Sequence, residues 1–148
     1  MNRRLKTVLL LAIFIGGFSS LSLELIVIRQ LSSFVGATAV TASIIIGIIM
    51  AFMSWGYYAG SVFPLAEKAV RRTVVNAFYA LALWVVLAAS YVLIYLYFSL
   101  LDLLGIENNV LKTFIYCLAL LSYPSWLFGL VTSLLSRYLH KYNRNFTG

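Results

Sequence analysis

The chain has 148 residues, of which 63% are hydrophobic and only 10% are charged. A soluble domain carries about 25% charged residues, and one of this size cannot hide so much apolar side chain in a single core. The net charge of +7 comes from small basic clusters at the ends of apolar runs, which is typical of a membrane protein facing anionic lipid. We therefore expect a lipid bilayer around this chain, and no nucleic acid.

Long unbroken apolar runs favour α-helices, because the strands of a membrane β-barrel alternate apolar and polar residues over short segments. We predict an all-α fold with about four transmembrane helices in a single membrane domain, 1–148. The helices are expected from about Val8 to Ile28, Val40 to Phe63, Val74 to Leu101 and Thr113 to Ser136. The first run begins like a secretory signal peptide, but no A-x-A cleavage site follows, and we expect it to remain as a span.

The distribution of Lys and Arg predicts the orientation, because cytoplasmic loops are enriched in both residues. Four spans place nine of them on one side and only Arg29 and Lys112 on the other. We therefore expect a cell (inner) membrane protein with both termini in the cytoplasm. The segment between the second and third helices is expected to be a cytoplasmic loop with the charged residues Glu67, Lys68, Arg71 and Arg72.

Small residues at four-residue spacing lie on one helix face, where they let two membrane helices approach closely. Such candidates for helix packing are Gly16, Gly17, Ser20, Ser43, Gly47, Ala51, Gly56, Gly60, Ser125, Gly129 and Ser133. Pro124 removes a backbone hydrogen bond and is expected to kink the fourth helix. The third helix contains no glycine, and we expect it at the lipid-facing rim or against a partner.

Glu24 is the one carboxylate well inside an apolar run. Arg29 follows five residues later, about 140° around the helix, so the two are poor partners within one straight helix. Either Glu24 pairs with another helix or chain, or the helix unwinds before Gly36. One interpretation makes Glu24 a cation or proton site, for which Tyr57, Tyr91 and Tyr95 offer hydroxyl groups or aromatic faces. The other makes it a hydrogen-bonded packing group.

Neither a catalytic site nor a metal site is evident from the sequence. A nucleophile needs a nearby base, and three of the four acidic residues are expected in loops on opposite sides of the membrane. The chain has one cysteine and one histidine, which excludes, within one chain, a disulfide framework and any site built on several of either residue. We expect no enzyme activity, no cofactor and no metal.

Two stretches of the chain carry a pattern of spaced residues. The first runs from 17 to 61, and the second, YPSWLFGLVTSLL, runs from 123 to 135. The residues of the pattern in the first stretch are Gly17, Phe18, Glu24, Arg29, Leu31, Ser32, Gly36, Gly56, Tyr57, Gly60 and Ser61. Both stretches resemble the membrane region of bacterial membrane-bound spermidine-synthase-like proteins. The aminopropyl-transfer chemistry of the family resides in a Rossmann-like domain that this sequence does not contain, so the resemblance does not carry that activity over.

A second likeness lies in the charged segment LAEKAVRR, which is similar to the loop between the second and third helices of major facilitator transporters. A half of such a transporter has six helices, whereas this chain has room for four.

Two functional hypotheses follow. In the first, the chain is a non-catalytic membrane module, an anchor or accessory subunit that packs with itself or with another membrane protein. A soluble aminopropyltransferase-like protein is a further candidate partner. In the second, it is a small oligomeric transporter of a cation or polyamine that uses Glu24.

Overall fold

The computed structural model describes residues 3–36, 38–64, 67–88, 90–106 and 108–144. These residues form five helices and no β-strand. The helices are α1 (Arg3–Val35), α2 (Ala39–Val62), α3 (Glu67–Ala88), α4 (Tyr91–Leu103) and α5 (Asn109–Arg144). Four of them, α1, α2, α3 and α5, are long and apolar enough to cross a bilayer. The predicted all-α, multi-pass membrane fold is therefore confirmed.

Helix α5 is the centre of the bundle. All four other helices pack against it, and its contact with α2 is the most extensive between any two helices. Its apolar stretch is mostly buried, whereas less than a third of the residues in those of α1, α2 and α3 are buried. Leu121 and Leu134 are completely shielded. Many large apolar side chains on the outer faces of the helices are exposed, as expected for helices whose outer surface meets lipid.

Two core clusters show how the helices are directed. One joins Leu9 of α1 and Ala59 of α2 to Leu134 of α5, and the other joins Leu31 of α1 and Ile45 of α2 to Tyr116 of α5. Helix α2 therefore runs parallel to α5, and α1 runs antiparallel to both. The first and last turns of the described chain lie at the same end of the bundle.

The two ends of the bundle differ in charge. The end that holds the first turn of α1 and the last turn of α5 is called the basic end. It carries the exposed residues Lys68, Arg71, Arg72 and Lys141 and the half-buried Arg137. The opposite end, which we call the polar end, carries Asp102, Asn108 and Lys112.

The predicted third helix, 74–101, is corrected to two helices. Helix α3 ends at Ala88, and α4 begins after Ser90, whose backbone is extended (φ −73°, ψ 109°). The carbonyl of Ser90 then accepts the first hydrogen bonds of α4, from Leu93 and Ile94. Helix α4 has 13 residues, well short of the roughly 20 residues that a membrane-spanning helix needs. It lies beside the first turns of α5, where Tyr97 bonds to the carbonyl of Lys112.

The predicted cytoplasmic loop is also corrected. Lys68, Arg71 and Arg72 are not in a loop, because α3 begins at Glu67. The segment contains good helix formers and neither glycine nor proline. Val70, which is 4% exposed, fixes one side of this first part of the helix against the bundle. The three basic side chains consequently project from the first two turns of α3.

Two glycines and two caps define the turns at the polar end. Gly36 (φ 88°) follows α1 and Gly105 (φ 73°) follows α4, in a backbone conformation that glycine adopts without steric cost. The side chain of Thr38 accepts a hydrogen bond from the N–H of Thr41 at the start of α2. Asn108 caps α5 in the same way, through the N–H groups of Val110 and Leu111.

Candidate functional site: the outer faces of helices α1 and α2

Glu24 lies on the flank of α1, beside the part that packs on the bundle. The buried stripe of this helix runs through Leu23, Val27 and Leu31, at 4%, 1% and 0% exposure. Glu24 is one residue beyond Leu23, which rotates it by about 100° from that residue, and it is half-buried. In the described part of the chain its carboxylate has no hydrogen-bond or ion-pair partner.

Arg29 points away from the bundle. It is exposed, although it belongs to the apolar stretch Leu9–Val35 of α1. The helix stays regular up to Val35, so it does not unwind before Gly36, and Arg29 stays about 140° around the helix from Glu24. The structure thus excludes unwinding of α1 before Gly36, and it gives Glu24 no partner on another helix among the described residues.

The structure does not bring the candidate tyrosines together with Glu24. Tyr57 lies on α2, whereas Tyr91 and Tyr95 lie on α4, and all three are exposed. The ring of Tyr91 contacts Phe34 at 5.4 Å between ring centroids. Among the described residues, no hydrogen bond, ion pair or ring contact joins any two of the five candidates Glu24, Arg29, Tyr57, Tyr91 and Tyr95. The geometry thus contains no assembled tyrosine site around the carboxylate.

Three of the small residues lie where the backbones of α2 and α5 meet. A side-chain carbon built on Gly56 would lie 2.9 Å from the amide nitrogen of Leu130 and even closer to the carbonyl of Trp126. On Gly60 it would lie 2.8 Å from the carbonyl oxygen of Leu130. Gly129 faces the backbone of α2 in the same way. Only a residue without a side chain permits this distance between the helices.

The other small residues divide between the interior and the surface. Ser125 is 2% exposed on α5, Ser20 is 9% exposed on α1, and Ser133 lies beside Gly60. A second group is exposed on α1 and α2 and consists of Gly17, Ser43, Gly47 and Ala51. No atom of another described helix lies within 4 Å of a side-chain carbon built on Gly16, Gly17 or Gly47. Ser43, Gly47 and Ala51 form a stripe of small residues on the outer face of α2.

Two polar contacts of the bundle ends were not predicted. At the basic end, the guanidinium of Arg137 donates hydrogen bonds to the carbonyls of Gly60 and Phe63, at 2.8 and 3.0 Å. It thereby satisfies two carbonyls at the C-terminal end of α2, one in the last turn and one on the capping residue, where helical partners are lacking. At the polar end, the ammonium of Lys112, a residue that is 4% exposed, pairs with the carboxylate of Asp102. The separation of 77 residues between Arg137 and Gly60 leaves no sequence signal for the first contact.

Within the described ranges, no three His, Cys, Asp or Glu residues lie close enough together to hold a metal ion. Cys117 is buried and is not in a disulfide. Comparisons of the chain with models of known protein families, with curated proteins and with solved structures found no match.

Proposed function

We propose that the chain is a non-catalytic integral membrane module, an anchor or accessory subunit that associates with a second copy or with another membrane protein. The observation that carries this proposal is the pair of charged side chains on α1. Glu24 is half-buried and Arg29 is exposed, and neither has a partner among the described residues. A single unpaired charge in the middle of a membrane costs at least about 2.5 kcal/mol. A neighbouring protein that offers opposite charges reduces this cost.

The stripe on the outer face of α2 supports the same conclusion. Ser43, Gly47 and Ala51 are exposed, and nothing in the described chain covers Gly47. Elsewhere in the molecule, the contact between Gly56 of α2 and the backbone of α5 shows how this chain uses glycine to pack helices closely. A second small-residue face on α2 is suited to a helix from outside the bundle.

The proposal extends to the membrane in which the protein lies, its orientation there and its candidate partners. The positive-inside rule favours a cell (inner) membrane with the basic end, and hence both termini, in the cytoplasm. The resemblance to spermidine-synthase-like membrane regions makes a protein of that group a candidate partner, and a soluble aminopropyltransferase-like protein would bind from the cytoplasmic side.

The topology is tested by labelling. Cysteines introduced at Lys68 and Lys141 of a Cys117→Ser variant should be labelled from one side of sealed vesicles, and one at Asn108 from the other. Labelling of 68 and 141 from opposite sides would contradict this topology.

The mass of the intact, detergent-extracted complex tests the association. We expect a mass above the 16.6 kDa of one chain, and a return to the single-chain mass for Gly47→Leu or for Arg29→Gln with Glu24→Gln. Ala119→Leu is the matched control, because Ala119 is exposed on α5, away from these faces. A wild-type protein that is monomeric and has no co-purifying partner would contradict the proposal.

The alternative is a small oligomeric transporter of a cation or polyamine that uses Glu24. It is supported by a carboxylate that lies within a membrane-spanning stretch and is half-exposed and unpartnered among the described residues. Uptake of a labelled polyamine into proteoliposomes should then fall at least tenfold in Glu24→Gln and be retained in Glu24→Asp. Equal uptake by the wild type and by Glu24→Gln would exclude this function.

A further inference from the structure

Helices α1 and α3 leave a groove between them. Both pack on α5, yet they scarcely contact each other. A cavity of about 400 Å³ lies between them, with Phe18, Ser22 and Ile26 on one wall, Phe78 and Ala82 on the other, and Phe128 of α5 at its floor. We call this space and its continuation toward the basic end the α1–α3 groove.

The continuation is a second cavity of about 210 Å³ between the same two helices. Its lining includes Leu9 of α1, Val74 of α3 and Leu135 of α5. On α3 the residues that line the two cavities form one continuous stripe, from Arg71 through Val74, Phe78 and Ala82 to Val85. Their spacing of three or four residues keeps them on one face of the helix. The groove therefore follows α3 from the basic end toward the middle of the bundle.

Among the described residues that line the groove, one is charged, and it lies at the basic end. Arg71 is exposed and lines the second cavity among apolar side chains. It makes no ion pair or hydrogen bond with any residue that the structure describes. Lys68 and Arg72 are exposed within one turn of it and add positive charge to the same end. The groove is apolar along its length and has at its basic end a guanidinium that no described residue pairs with. This arrangement is complementary to a phospholipid, which has an apolar chain and an anionic phosphate.

The size of the groove favours a hydrocarbon chain over a helix. An α-helix with side chains is about 10 Å wide, and over the length from Ile15 to Ile26 it would need roughly three times the volume of the larger cavity. A single acyl chain is flexible and narrow enough to follow the groove. The guanidinium group matches the oxygens of a phosphate in geometry and charge. Basic sites between membrane helices recognise lipid headgroups in this manner.

We propose that the α1–α3 groove binds one anionic phospholipid, with an acyl chain between α1 and α3 and its phosphate on Arg71. Native mass spectrometry of the detergent-purified protein tests this with phosphatidylglycerol and phosphatidylcholine of identical acyl chains. We expect one lipid per chain, with phosphatidylglycerol bound about fivefold more tightly, as for one basic residue near a membrane surface. Arg71→Gln should abolish this preference, and Arg71→Lys should keep part of it.

Control variants distinguish lipid binding in the groove from general electrostatic attraction of anionic lipid and from association with another protein. Arg72 is exposed but does not line the groove, so Arg72→Gln should keep the preference. Ala82→Phe fills the groove and should weaken the binding of both lipids at least fivefold, whereas Ala119→Phe should not. Equal affinity for the two lipids, or equal effects of the Arg71 and Arg72 variants, would overturn the proposal. A change in the protein mass of the complex caused by Ala82→Phe, with lipid binding intact, would show that a helix occupies the groove.

Discussion

The indole N–H of Trp84 on α3 donates a 2.6 Å hydrogen bond to the backbone carbonyl of Leu120 on α5. Leu120 is four residues before Pro124, which has no N–H group and cannot close the usual helical bond to that carbonyl. The tryptophan therefore supplies, from another helix, the donor that the proline removed. Its ring also contacts Tyr123, at 5.2 Å between ring centroids. Helix α5 continues through Pro124 without a break, and the bend expected there stays a prediction.

Replacement of Trp84 by Phe should destabilise the bundle by about 1–3 kcal/mol, because it leaves the carbonyl of Leu120 without a donor in apolar surroundings. The measurement is the free energy of unfolding in a mild detergent. In a Pro124→Ala background the new N–H of residue 124 bonds to the same carbonyl, so Trp84→Phe should cost about 1 kcal/mol less there. Equal costs in the two backgrounds would show that Trp84 acts only through the packing of its ring.

Alanine at Gly56 or Gly129 should separate α2 from α5. The added carbon meets backbone atoms of the facing helix, which cannot rotate away as a side chain can. We expect each change to lower the free energy of unfolding by more than about 2 kcal/mol. Gly17→Ala is the matched control, because Gly17 lies on an exposed face of α1 with nothing within 4 Å of the added carbon, and the change should be neutral or stabilising by up to ~1 kcal/mol. A loss at Gly17 as large as that at Gly56 would show that the cost does not come from the contact of α2 with α5.

Arg137→Met should weaken the end of α2. The change removes two charged hydrogen bonds to the carbonyls of Gly60 and Phe63, and about 1.5–3 kcal/mol of stability should be lost. Arg137→Lys should have an intermediate effect, since an ammonium lacks the planar fork that reaches both carbonyls. Lys141 is exposed in the same turns of α5, and Lys141→Met should change the stability by less than ~0.5 kcal/mol. Hydrogen exchange at the last amides of α2 would locate the effect.

Asp102→Asn should leave the ammonium of Lys112 buried without its carboxylate. Loss of one partner costs about 3–5 kcal/mol for a fully buried ion pair. Here the side chain of Asp102 is 67% exposed, and water weakens the pair, so we expect roughly 1–2 kcal/mol. The Lys112→Met variant and the double variant complete a cycle that isolates the pair from other effects of either change. Additive effects in this cycle would show that the ion pair contributes nothing to stability.

The sequence predicted most accurately the helices whose ends are set by nearby residues, such as a cap or a proline. Helix α2 was expected from about 40 to 63 and runs from Ala39 to Val62, because Thr38 caps its start and Pro64 follows its end. Hydropathy alone predicted the number of candidate spans, four, but not the limits of the third. The break between α3 and α4 was missed, because the sequence around Ser90 is apolar and contains neither glycine nor proline. After the break, α4 lies beside the first turns of α5, where Tyr97 bonds to the carbonyl of Lys112.

For the candidate residues too, the sequence predicted what depends on local spacing and missed what depends on how the helices pack. The repeat of Gly56 and Gly60 predicts a close helix contact from local spacing, and these residues lie at the contact of α2 with α5. The spacing alone does not show which small residues face the interior and which face outward, as Gly47 does. The direction of Glu24 depends on which stripe of α1 packs on the bundle, and that stripe is set by α5, more than 80 residues later in the chain.

The position of α5 has a consequence for biosynthesis. Helices α1 to α4 share few contacts with one another, since each of them packs chiefly on α5, which the ribosome makes after all of them. Helices α1 to α4 must therefore enter the membrane independently and remain there without α5 until it has been synthesised. Tertiary structure can form only when α5 inserts among them. Any delay in the synthesis of α5 prolongs the time during which the unpacked helices α1 to α4 are accessible to membrane proteases and chaperones.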